Sequence, residues 1–238
     1  QIEQDDTTIC AGDSVSLSIG SLNQGLIGWW PFNGNAEDES GNGHDGIVNG
    51  PVLTNGAFGQ NNAYYFDGSD DYIIVPDSQD LAITGDLSLF ARFKTEGFNG
   101  TSNWHTILTK RSSTLWPYNL SVSYWTQQYQ RLFSGRRTAP NLTDYKFSSS
   151  LTNINQWETW VVTIHQDTIK FYRDGILDTT DYFTINAVDV GADLLFGRNA
   201  LNENSAGAQE WFKGTIDDIG IWNRALSAAE ILTLYGSN

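Results

Sequence analysis

The chain of 238 residues has one cysteine, Cys10, and no methionine. With a single thiol, an intramolecular disulfide and a cysteine-based zinc site are both excluded. Positive charge is scarce: 13 Lys and Arg stand against 28 Asp and Glu, a formal net charge of −15. That balance opposes a general nucleic-acid binder. No apolar run approaches the roughly 20 residues of a membrane-spanning helix, so membrane insertion is not expected. No basic-then-apolar leader opens the chain, and the expectation is a secreted or cell-surface protein whose signal has been removed. Aromatics, by contrast, make up 13% of the residues. That is too rich for a disordered chain and enough for one sizeable core.

Short apolar or alternating runs separated by glycine-rich turns dominate the chain. Tyr64–Phe66 and Tyr72–Val75 flank the turn Asp67-Gly68-Ser69-Asp70-Asp71. Leu87 to Phe93 alternates at period two, as a half-buried strand does. Trp160–His165 and Ile169–Tyr172 read as a hairpin around Gln166-Asp167-Thr168, and Asp174-Gly175 turns the chain again. Leu194–Phe196 and Thr215–Trp222 supply further strands. A single short helix is predicted at Ser227–Tyr235, with Ser227 and Glu230 as a capping box and Ile231, Leu234 and Tyr235 as its apolar face. The pattern predicts an all-β protein, a two-sheet antiparallel jelly-roll sandwich with one short C-terminal helix.

Charge is unevenly distributed. Between Gly97 and Thr143 there is no carboxylate, while Lys110, Arg111, Arg131, Arg136, Arg137 and His105 lie there. The window carries +5 and the remainder −20. Trp104, Trp116, Tyr118, Trp125 and Tyr129 are interleaved with those bases. Sugar C–H faces stack on such rings, and the planar arginine fork suits sulfate or carboxylate oxygens. Adjacent aromatics on a strand face opposite ways, so some of these rings lie off the core. The expected ligand-binding residues are therefore Trp104, His105, Lys110, Arg111, Trp116, Tyr118, Trp125, Tyr129, Arg131, Arg136 and Arg137. The alternative is that the tryptophans fill the core while the arginines snorkel from it.

Residues 1–24 differ in composition. Asp6–Leu17 resembles the opening strands of immunoglobulin-like repeats in large surface proteins of Bacteroidetes-type bacteria, and the segment reads as a linker or extra edge strand. Residues 25–238 carry a second resemblance. Gly28-Trp29-Trp30-Pro31-Phe32-Asn33-Gly34 with the Asp38–Gly43 loop, Phe66–Tyr72, Lys170–Gly175 and Gly214–Ser227 with Glu230-Ile231 follow one another in the order seen in laminin-G-like domains. The chain thus resembles that branch of the concanavalin A-like lectin and glucanase superfamily. The resemblance implies the same jelly roll and one structural calcium tying an early loop to a late strand. Its ligands would be Asp38, Gly43, Asp67 and Asp217. The bland alternative makes Asp38 and Asp67 turn formers.

Catalytic patterns are scarce. Jelly-roll glycosidases need two carboxylates on one face. None of the eight glutamates has a partner two or four residues away on a strand. No G-x-S-x-G, H-E-x-x-H or P-loop occurs. The expected function is a non-catalytic carbohydrate-binding module for an anionic, sulfated or uronic polysaccharide within a larger surface or secreted chain. An adhesion or spacer domain contacting proteins, and a polysaccharide hydrolase or lyase of the same fold, are the alternatives.

Overall fold

The computed structural model describes residues 22–59, 61–97, 104–112, 115–124, 130–139, 141–199 and 210–236. Trp125, Tyr129 and residues 1–21, the larger part of the proposed linker 1–24, lie outside them. Two antiparallel sheets face each other. One has eight strands, in the order β13 (Ile176–Tyr182), β12 (Thr168–Arg173), β11 (Glu158–His165), β6 (Leu87–Thr95), β15 (Lys213–Trp222), β4 (Ala63–Asp67) and β3 (Val52–Thr54). Its eighth strand, β1 (Leu26–Trp30), also pairs with β15. The other has seven: β10 (Leu142–Leu151), β9 (Gln130–Ala139), β8 (Tyr118–Tyr124), β7 (Trp104–Lys110), β14 (Leu194–Phe196), β5 (Tyr72–Val75) and β2 (Ile47–Asn49).

Period-two alternation builds the core between them. Leu87, Leu89, Ala91 and Phe93 of β6 point inward, as do Trp160, Val162 and Ile164 of β11 and Tyr118, Leu120 and Val122 of β8. Ile216 and Ile219 of β15 both enter the core, although residues three apart on a regular strand face opposite ways. A register shift between them resolves this and accommodates Asp217 and Asp218. The predicted hairpin is β11–β12, closed with His165 opposite Thr168. Tyr64–Phe66 and Tyr72–Val75 are strands too, but the turn between them passes from one sheet to the other.

A second apolar cluster lies on the outer face of the eight-stranded sheet. Phe90, Val161, Tyr172 and Trp222 are covered there by Leu226, Ile231 and Leu234. The last two belong to the helix α1 (Ala228–Gly236). Ser227 caps it: Glu230 N–H donates to Ser227 Oγ at 3.3 Å, and Ser227 N–H donates to Glu230 Oε2 at 2.8 Å. Arg224 grips the same carboxylate from its other side. Tyr235, expected on the apolar face, is 43% exposed.

Candidate functional site

The outer face of the seven-stranded sheet follows from register. On β8 the core residues Leu120 and Val122 alternate with Asn119, Ser121 and Ser123, which face outward. Their cross-strand neighbours share that face: Ser123 opposite Trp104 and Arg131, Ser121 opposite Thr106 and Phe133, Asn119 opposite Thr109. Phe133 and Gly135 of β9 stand in turn opposite Phe147 and Tyr145 of β10. A floor of small polar side chains is thereby walled by aromatics. Gly135 leaves room for the Tyr145 ring, whose edge lies 2.5 Å from where a Cβ would stand. Its N–H donates to Asn119 Oδ1 at 2.7 Å, which fixes that amide.

The aromatic wall is continuous. Trp104 meets Phe133 at 5.3 Å and Tyr145 at 5.2 Å between ring centroids, and Trp116 stacks on Tyr145 at 6.2 Å. The guanidinium groups of Arg111 and Arg137 lie 4.4 Å and 5.2 Å from the Trp116 ring. Where this wall meets the chain at Asn199 and Glu210, a notch of about 10 Å³ opens, lined by Trp104, Thr109, Arg111, Tyr145, Asn199 and Glu210. Asn199 donates its amide N–H to Glu210 Oε2. Burial pushes the Glu210 carboxyl up to about 7, against the opposing pull of Arg111 and Asn199. Burial, with Glu210 close by, likewise pushes the Tyr145 hydroxyl up to about 12. Thr109 Oγ1 and Arg111 Nε are buried in the notch with no hydrogen-bond partner among the described residues.

Trp104, Arg111, Trp116, Arg131 and Arg137, all anticipated from sequence, share this face. Four other anticipated residues do not serve it. Lys110 is wholly buried on the core side, its ammonium paired with Asp77 and donating to Ala192 O at 2.6 Å. Arg136, one residue before Arg137 and hence facing the other way, is 3% exposed over Phe183 and donates to Ile185 O. Tyr118 is a core residue whose hydroxyl donates to Leu81 O at 2.9 Å. His105 turns inward onto Phe212, and burial, with Lys213 nearby, pushes its pKa down to about 4, so it is neutral. Sequence reasoning missed Tyr145, Asn199, Glu210, Asn119 and Thr109. The alternation of Asn119, Ser121 and Ser123 with core residues was a readable sign of this polar floor; nothing local marked Glu210.

The expected calcium ligands do not converge. Asp38 accepts N–H bonds from Trp29, Ser40 and His44 and the Ser40 hydroxyl, all at 2.8–3.0 Å. Burial would raise its pKa, but these donors outweigh burial and hold the carboxyl below its usual range. It organises the loop that contains Gly43, as a turn former does. Asp67 lies opposite Lys213, four residues before Asp217 along β15, which is about 13 Å at ~3.3 Å per residue. No single ion spans that separation. Asp67 instead accepts from Ser69 N–H and approaches Asp70 and Asp71. Asp217 accepts from Ala57 N–H at 2.6 Å and lines a polar cleft of about 290 Å³ with Trp29, Glu39, Phe58, Arg92 and Asp218. Arg92, buried, donates to Asp218 at 2.7 Å. Asp67 and Asp217 thus do not share one ion, and the four-residue set that the resemblance implied does not come together as a whole.

Residues 67–232 match the Laminin_G_3 family of the concanavalin A-like lectin/glucanases superfamily, and the chain belongs to that family. Among solved structures it is similar to domain 4 of AbnA, a GH43 extracellular arabinanase from Geobacillus stearothermophilus, determined in complex with arabinotriose. The identity is 18%, the TM-score 0.67, and the match covers 88% of this chain and 98% of that one. It is also similar to the binding domain of Paraclostridial Mosquitocidal Protein 1, at 16% identity and TM-score 0.71, over 91% of this chain and 53% of that one. A third is botulinum neurotoxin type C, described as depending on two ganglioside molecules for cell entry, at 15% identity and TM-score 0.71, over 92% and 53%. The chain therefore spans about half the length of the two toxin chains. No curated protein matches it.

Proposed function

We propose that the chain is a non-catalytic glycan-binding module that presents the outer face of its seven-stranded sheet to a saccharide outside the cell. The observation that carries this reading is the convergence of the half-buried Trp104 and Tyr145, backed by the buried Trp116, on a polar floor with buried, unpartnered hydrogen-bonding atoms. Rings supply stacking area, and fixed polar groups supply orientation. That a domain of the same fold was determined with arabinotriose, and another is tied to gangliosides, supports the reading. Arg111, Arg131 and Arg137 stay on the face, but the notch itself favours a neutral group over the anionic glycan expected from sequence. Lys110 and Arg136 are withdrawn from the face, and Glu210 brings a carboxylate into the notch. Among the described residues Glu210 is also the one carboxylate lining the notch, whereas glycoside hydrolysis ordinarily employs two.

Affinity electrophoresis through gels containing neutral, uronic or sulfated polysaccharides tests the proposal. The wild-type chain is expected to be retarded by a neutral polymer, and Trp104→Ala to migrate freely while melting within a few degrees of wild type. Free migration of the folded wild type in every gel would leave the protein-contacting spacer as the surviving reading.

A further inference from the structure

We infer that the notch between Trp104, Tyr145 and Glu210 is a hydroxyl-reading subsite, and that Glu210 is the specificity-determining residue that confines this face to neutral saccharides. The inference rests on the glycan reading above and adds the ligand's chemistry to it.

Three observations converge. The first is size: about 10 Å³ holds one water or one hydroxyl group, not a sulfate and not a sugar ring. The ring must stay outside against the aromatic wall, with one of its groups reaching in. The second is unmet bonding. Thr109 is 0% exposed, yet its hydroxyl has no partner, and neither has Arg111 Nε. Buried polar atoms are nearly always paired, because an orphaned one costs about 1–3 kcal/mol. The third is polarity. Arg111 lays its guanidinium against Trp116, so what it offers the notch is the N–H edge, a donor. Glu210, one oxygen engaged by Asn199, offers an acceptor. A sugar hydroxyl accepts from one and donates to the other at the same time, with the Thr109 hydroxyl free to do either. A sulfate or uronate oxygen only accepts, and it would face the Glu210 charge across a nearly closed, poorly screened space.

Calorimetric titration at about pH 8.5, above the value near 7 at which the Glu210 carboxyl ionises, tests this with matched pairs: arabino-, cello- and agaro-oligosaccharides, each against its sulfated derivative, on the full chain. For the pair that binds best, the wild type is expected to favour the neutral member by at least tenfold. Glu210→Gln keeps the shape but removes the charge, and should shrink that preference at least fivefold. Thr109→Val removes only the hydroxyl, and should weaken the neutral member three- to tenfold. Melting curves on both variants exclude misfolding. A wild type that binds the sulfated member equally well overturns the inference and leaves glycan binding intact. So does a Glu210→Gln ratio identical to wild type. Unchanged affinity in both variants would show that the notch holds a structural water only. A wild type that binds no member of any pair removes the glycan reading and the subsite together.

Discussion

Replacing Lys110 by methionine separates a structural cation from a ligand-binding one. The side chain is fully buried, and its ammonium makes two charge-assisted contacts, to Asp77 and to Ala192 O. Methionine matches the volume, so no cavity term arises. What is lost is the bonding. A hydrogen bond to a charged group contributes about 1.5–3 kcal/mol, and an orphaned carbonyl costs about 1–3 kcal/mol. Asp77 is 38% exposed and regains water, so its half of the loss is largely recovered. The expected destabilisation is roughly 2–4 kcal/mol, a large fraction of the ~5–15 kcal/mol that holds a typical domain folded. Urea denaturation read by tryptophan fluorescence measures it, and affinity electrophoresis of the still-folded variant measures binding. The reasoning requires lowered stability with unchanged retardation. A variant as stable as wild type that no longer binds would refute it and return Lys110 to the ligand face.

Asp38→Ala should cost about 2–4 kcal/mol, because three backbone N–H groups and a hydroxyl lose their acceptor; the loss should be the same in calcium as in chelator, and a calcium-dependent loss would restore the metal role. Stability should also depend on pH. Burial raises Glu210 and Asp218 to about 7, with Asp217 adding to the shift at Asp218. Between about pH 5 and 7 the native state therefore holds more protons than the unfolded chain, and stability falls as pH rises through that window, by on the order of 4 kcal/mol for the two groups together. Asp38, Asp144 and Glu230, all depressed, act oppositely and are lost in acid below their ordinary range. A melting temperature highest near pH 5 is the expected outcome, and one still rising from pH 6 to 8 would contradict it. Ser227→Ala should cost about 1 kcal/mol by uncapping the helix, with no effect on binding at the far sheet.

The parts of the fold that were readable were those in which local chemistry settles structure. Alternating Leu87, Leu89, Ala91 and Phe93, the two-residue turn before Thr168 and the Ser227–Glu230 pair each declare themselves within a few residues. The turn at Asp67–Asp71 shows the limit. Its flanking strands look like a hairpin locally, yet β4 pairs with β15 and β5 with β14, both more than a hundred residues on. Pairing choice is non-local, and no turn dipeptide encodes it. The meander β7 to β10 was harder still, because the small polar side chains on its outer face are themselves buried, with Trp104 and Tyr145 left half-buried beside them. Buried threonine, serine and asparagine there blur the contrast between inside and outside on which alternation depends.

The charge window held only in part as a surface argument, for a related reason: Arg111, Arg131 and Arg137 lie on the outer face, while Lys110 and Arg136 turn away from it. A count of charges along a segment carries no information about which way each side chain points. Arg136 and Arg137 are adjacent on β9, so one of them had to face the core, by the same geometry that sets neighbouring aromatics on opposite faces. The neutralising groups come from far along the chain: Asp77 reaches Lys110 from 33 residues before it, and Glu210 reaches the Arg111 notch from 99 residues after it. A segment without carboxylates is thus not a region without them once folded. What the window encodes is a sheet whose cations part ways: Lys110 is paired with an acid from elsewhere and Arg131, Arg136 and Arg137 donate to backbone carbonyls, while aromatic rings and small polar groups line the proposed face. That composition is suited to hydroxyls more than to sulfates, and it follows from topology rather than from net charge.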